Sequence, residues 1–135
     1  MSIAPEAVQT VGLFSGQHVL AEIDGIDAAV LDDEVFLCQL LDDALQRAGA
    51  TVLQVISKQF DPQGVTVLAL LSESHASLHT YPEIGSVFVD VFTCGTKAQP
   101  EIAVNLLAEG MGAKTVHRRT IRRGLEPQNE MKVTP

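Results

Sequence analysis

The stretch from residue 72 to 94 gathers serines, histidines, acids and a thiol within a short span. Ser72-Glu73-Ser74-His75 follows an apolar run, His79-Thr80-Tyr81-Pro82-Glu83 comes next, and Asp90-Val91-Phe92-Thr93-Cys94-Gly95 closes the stretch. A serine hydroxyl is a weak nucleophile that needs a neighbouring base, and histidine is the usual one. A thiol can attack or deliver a proton. Each residue also has a plain structural use. A serine at a strand end bonds its own turn, and a cysteine before glycine packs as a small apolar group. His75 and His79, four apart, would suit a metal on a helix. In a strand they share a face without ligand geometry. The surrounding pattern is strand-like, so no metal is expected. A hydrolase would need Gly-x-Ser-x-Gly or a defined acid partner, and neither is visible.

The elements that must position these residues follow from periodicity. Val19, Ala21 and Ile23 alternate and predict a strand over 17–23, ended by Asp24-Gly25. Leu37, Leu40, Leu41, Ala44, Leu45 and Ala48 recur at helical spacing. Asp32 or Asp33 caps that helix, Gly49 stops it, and Cys38 packs beside the stripe. Strands are expected over 51–57, 65–71, 86–92 and 114–122. A turn falls at Asp61-Pro62-Gln63-Gly64, and a helix over 100–109 has Pro100 in its first turn and Ala103, Leu106 and Leu107 inward. The fold class is α/β of the α+β type: a two-layer sandwich, mostly antiparallel, with two helices on one face. The other face would stay polar or meet a second subunit. One domain is expected, with a loose leader over 1–16, a folded core over 17–123 and a tail over 124–135.

The 135 residues carry a formal net charge of −8, which argues against nucleic acid as a partner. The basic run Lys114, Arg118, Arg119, Arg122, Arg123 and Lys132 reads as a solvated edge strand whose charges discourage pairing. Anion binding or a subunit contact is its alternative use. No apolar run reaches the ~20 residues of a membrane span, and no signal peptide is visible. Two cysteines, Cys38 and Cys94, are too few for a disulfide framework, so reduced thiols and a cytoplasmic location are expected.

Together these motifs resemble the small prokaryotic form of S-adenosylmethionine decarboxylase. The resemblance rests on Leu71 to His75, His79 to Glu83 and Asp90 to Gly95. It extends to His18-Val19-Leu20-Ala21-Glu22, to Phe60 and to Pro62-Gln63-Gly64-Val65. It implies a proenzyme that cuts itself between Glu73 and Ser74, giving fragments 1–73 and 74–135. Ser74 becomes a pyruvoyl group that takes the substrate amine as a Schiff base, with no pyridoxal phosphate. His79 is implied as the processing base and Cys94 as the proton donor in turnover. Thr66 stands where the family usually has serine and is implied to hydrogen-bond the cleavage intermediate, with slower or retuned processing. Phe60 and Tyr81 are implied to stack on the purine, Tyr81 standing where tryptophan is usual, and Glu83 to bind the ribose hydroxyls. The resemblance also implies a homodimer and a product that donates aminopropyl groups to spermidine. Two other readings stand beside it: a pyruvoyl-dependent decarboxylase of ornithine or arginine, and a non-catalytic regulatory relative.

Overall fold

The computed structural model describes residues 15–124 and 131–133, so most of the expected leader and tail lies outside the described residues. The elements are β1 (Gly16–Asp24), α1 (Ala28–Leu31), α2 (Glu34–Arg47), β2 (Val52–Gln59), β3 (Val65–Leu71), β4 (Ser74–Tyr81), β5 (Ser86–Cys94), α3 (Pro100–Gly110) and β6 (Thr115–Arg123). A 3₁₀ turn, Pro82–Ile84, joins β4 to β5. The six strands form one sheet in the order β2-β3-β4-β5-β1-β6. Every neighbouring pair is antiparallel. The helices lie on one face, as the periodicity predicts, with the single turn of α1 added ahead of α2.

The alternation of apolar residues decides which face is covered. Val19, Ala21 and Ile23 of β1, Val65, Val67, Ala69 and Leu71 of β3, and Val87, Val89 and Val91 of β5 are buried beneath the helices. Leu37, Leu41, Ala44 and Leu45 of α2 and Ala103, Val104 and Leu107 of α3 meet them. Each large aliphatic side chain contributes roughly 1.5–3 kcal/mol by leaving water, so this layer dominates stability. Leu106 packs only at the margin of that core, as does Cys38.

The two aspartates before α2 divide their work. The Asp33 carboxylate accepts the Phe36 N–H at 3.1 Å and caps the helix. Asp32 instead accepts the Gly64 N–H and the Gln59 amide, both at 2.8 Å, and ties the β2–β3 turn to the start of α2. At the other end Gly49, with φ +93°, takes the left-handed conformation that stops the helix. Buried Thr80 is a second tie: its hydroxyl donates to the Leu31 carbonyl at 2.7 Å and accepts the Val65 N–H at 2.9 Å.

The expected elements leave residues 72–85 unassigned, and there only Ser72 and Glu73 form the turn after β3. Ser74–Tyr81 is the fourth strand, between β3 and β5 near the middle of the sheet. His75, Ser77 and His79 alternate with Ala76, Leu78 and Thr80, which are buried in strict period two. The final strand matches its expectation. All nine residues of β6 are exposed at a sheet edge, four of them arginines.

Candidate active site

Two-residue spacing sends the odd residues of β4 and the even residues of β1, β3 and β5 to the face without helices. That open face carries His75, Ser77, His79 and Tyr81 of β4, Thr66 of β3, His18 of β1, and Asp90 and Phe92 of β5. The site residues expected from the sequence fall at two separate places, one at each end of β4.

The first place is the head of β4. Glu73 is held at both ends: its carboxylate accepts the Thr51 N–H at 3.0 Å, and its carbonyl accepts the Cys94 N–H at 3.1 Å. The peptide bond between Glu73 and Ser74 is therefore polarised by a fixed donor, the arrangement that stabilises a negative oxygen if the carbonyl is attacked. The Ser74 hydroxyl lies 3.0 Å from His75 Nδ1. Cys94, at the end of β5, is partly buried and unpaired.

The second place is the foot of the same strand. Thr66 and His79 face each other across β3 and β4, and the Thr66 hydroxyl hydrogen-bonds His79 Nδ1. Aromatic rings surround this pair. Phe60 meets His79 edge-on at 5.8 Å, His79 meets Tyr81 at 4.8 Å, and Tyr81 meets Phe88 at 5.0 Å. Glu83 follows, exposed, in the 3₁₀ turn. Flat apolar rings beside a carboxylate suit a ligand with a planar ring and hydroxyls.

The two places do not meet within one chain. His79 lies five residues along β4 from Ser74, about 17 Å at ~3.4 Å per residue. A base must come within ~3 Å of the proton it takes. Glu73, Ser74 and Cys94 are thus brought together, and so are Phe60, Thr66, His79 and Tyr81, with Glu83 two residues further along the chain, but the groups are held apart.

A third cluster was not assigned a role from the sequence. His18 Nε2 lies 2.7 Å from Asp90 Oδ2, the Ser77 hydroxyl donates to Asp90 Oδ1, and His75 Nε2 is 3.8 Å from Asp90 Oδ2. The donor atoms of His18, His75 and Asp90 lie within 4.8 Å of one another. The signal was present in strand alternation: a histidine in β1 and an aspartate in β5 both fall at positions facing away from the helices.

Comparison with known proteins fits this geometry. The family model described as S-adenosylmethionine decarboxylase matches residues 17–124. The chain belongs to the S-adenosylmethionine decarboxylase family. It is 52% identical over 99 residues to the S-adenosylmethionine decarboxylase proenzyme of Prochlorococcus marinus (strain MIT 9313), covering 73% of this chain and 79% of that one. It is 44% identical over 110 residues to proenzyme 2 of Bacillus anthracis, covering 82% and 89%. Among solved structures, the adenosylmethionine decarboxylase of Aquifex aeolicus VF5 superposes with a TM-score of 0.75 at 33% identity. That match covers 87% of this chain and 97% of the other. The fold expected of the family is therefore the fold observed.

Proposed function

We propose that this member of the family cuts itself between Glu73 and Ser74 and decarboxylates S-adenosylmethionine. The observation that carries the proposal is the head of β4. There the carbonyl to be attacked, the attacking hydroxyl and the residue bearing the thiol are adjacent, with the carbonyl already hydrogen-bonded to the Cys94 N–H. A pyruvoyl group derived from Ser74 would supply the electron sink for loss of carbon dioxide. Cys94 would return a proton to the substrate carbon. Phe60 and Tyr81 would sandwich the purine, and Glu83 would accept the ribose hydroxyls. Thr66 holds one ring nitrogen of His79 and leaves the other to take the Cα proton of Ser74 during self-cutting.

Because His79 and Ser74 sit about 17 Å apart on one strand, these roles require two copies of the chain. The open face offers the surface for it. Ile56, Leu68, Leu70, Phe88 and Ile121 are each 45–53% exposed on it, an apolar patch of the kind that marks an interface. Two copies packed open face to open face about a two-fold axis near the middle of β4 would set the head of one strand against the foot of the other. The working unit is then a homodimer with two composite sites.

Among the described residues no helix is long and apolar enough to cross a membrane. A free Cys94 thiol accords with the reducing cytoplasm. The test of the substrate is release of labelled carbon dioxide from S-adenosylmethionine, with ornithine and arginine in parallel. Release from S-adenosylmethionine alone is the expected result. Release from ornithine or arginine alone would overturn the assignment of Phe60, Tyr81 and Glu83 to a nucleoside.

A further inference from the structure

We infer that His75 is the base for the first step of self-cutting, and that Asp90, held by His18 and Ser77, positions it. The inference rests on the proposed cleavage between Glu73 and Ser74 and adds a group to that reaction. His79 is about 17 Å away along β4, whereas His75 Nδ1 lies 3.0 Å from the Ser74 hydroxyl in the same chain.

The hydrogen bonds assign the ring states. Arg123 Nη1 lies 3.2 Å from His18 Nδ1. A guanidinium only donates, so that nitrogen accepts, and the His18 proton sits on Nε2, pointing at Asp90 2.7 Å away. Asp90 also accepts from Ser77. Both carboxylate oxygens are thus fixed, and Oδ2 faces His75 Nε2 at 3.8 Å, a spacing that can tighten once the ring is charged. Phe92 backs both imidazoles, with centroids 5.0 Å from His18 and 5.8 Å from His75, and Arg123 covers the Phe92 ring at 4.5 Å.

The step balances within the chain. His75 Nδ1 takes the Ser74 hydroxyl proton as Oγ bonds to the Glu73 carbonyl carbon. The Cys94 N–H supports the oxygen that becomes negative. The carbon–nitrogen bond then breaks, and the proton passes from His75 to the freed nitrogen, turning the amide into an ester. His79 of a second copy removes the Cα proton only afterwards. The donor atoms of His18, His75 and Asp90 are close enough to attract a divalent ion, but the Arg123 guanidinium at the other ring nitrogen of His18 disfavours a second positive charge there.

The two steps separate chemically, because neutral hydroxylamine cleaves esters and spares amides. His79→Ala should stall after the first step and be split by hydroxylamine, with a hydroxamate on Glu73 and an unaltered serine heading the second fragment. The double variant His75→Ala/His79→Ala should form that ester roughly 10²-fold more slowly or less, and added imidazole should restore it. Asp90→Asn in the His79→Ala chain should slow ester formation without abolishing it. His75→Ala in the otherwise natural chain should show the same slowing as delayed cleavage. Ester formation in the double variant at the rate of His79→Ala would overturn the inference. So would failure of imidazole to restore it in a chain that melts like its parent, or cleavage abolished by EDTA and restored by zinc. If the natural chain itself never divides at Glu73, the proposed function fails instead.

Discussion

Self-cutting by a composite site can be tested by giving each copy of the chain a different defect. Ser74→Ala removes the attacking hydroxyl from the head of β4, and His79→Ala removes the base from its foot. The strand separates them by about 17 Å, against the ~3 Å that proton transfer requires, so neither residue serves the other within one copy. Each variant expressed alone should remain uncut, or nearly so for His79→Ala, since loss of a general base slows a step by roughly 10²–10⁴-fold. Co-expressed at equal levels with different tags, random pairing makes about half of the dimers mixed. Each mixed dimer holds one complete site, in which Ser74 of the His79→Ala chain meets the intact His79 of the other copy. About half of the His79→Ala chains should therefore divide, and none of the Ser74→Ala chains. Denaturing mass spectrometry of the whole pool reads these fractions, and in the doubly tagged complex every His79→Ala chain should be divided. Co-purified mixed dimers that stay uncut, or His79→Ala chains that divide normally alone, would refute the composite site.

Three further outcomes follow from individual contacts. Thr80→Val keeps the volume of a buried residue but strips the partner from the Leu31 carbonyl and the Val65 N–H. At about 1–3 kcal/mol for each unpaired buried group, a loss of about 2–6 kcal/mol is expected, and an unfolding free energy from urea titration in the Ser74→Ala background that falls by less than a quarter of this would contradict it. Cys94→Ala retains the backbone N–H on the Glu73 carbonyl and removes the thiol. It should divide normally yet lose carbon dioxide release by roughly 10²-fold or more, whereas uncut chain or undiminished turnover would remove the thiol from its role. Phe60→Ala should weaken nucleoside binding by about 1–3 kcal/mol if the ring stacks, measured by titration calorimetry with a non-reactive S-adenosyl analogue, and unchanged binding would contradict the stacking.

Much of this was legible in the residues themselves. The α2 stripe and the β1 alternation each carry one unambiguous period, Gly49 and Pro100 mark helix ends, and β3 is an apolar run bounded by turn residues. The fourth strand was not, because Ser74 and Thr80 put hydroxyls at inward positions and Tyr81 puts a ring outward, leaving only Ala76 and Leu78 as apolar markers. The chemistry-bearing residues were recognised, but their division between two ends of one strand was not. It depends on Ser74–Tyr81 being extended rather than looped. The Asp90 network was hidden for a different reason. His18 and Asp90 are 72 residues apart, and only the pairing of β1 with β5 makes them neighbours.

Intact mass under denaturing conditions shows whether this chain makes its own reactive group by breaking the peptide bond between Glu73 and Ser74. The expected result is two fragments, 1–73 and 74–135, the second lacking ammonia and carrying a ketone at its first residue. A single chain of 14.5 kDa that persists through long incubation would contradict it.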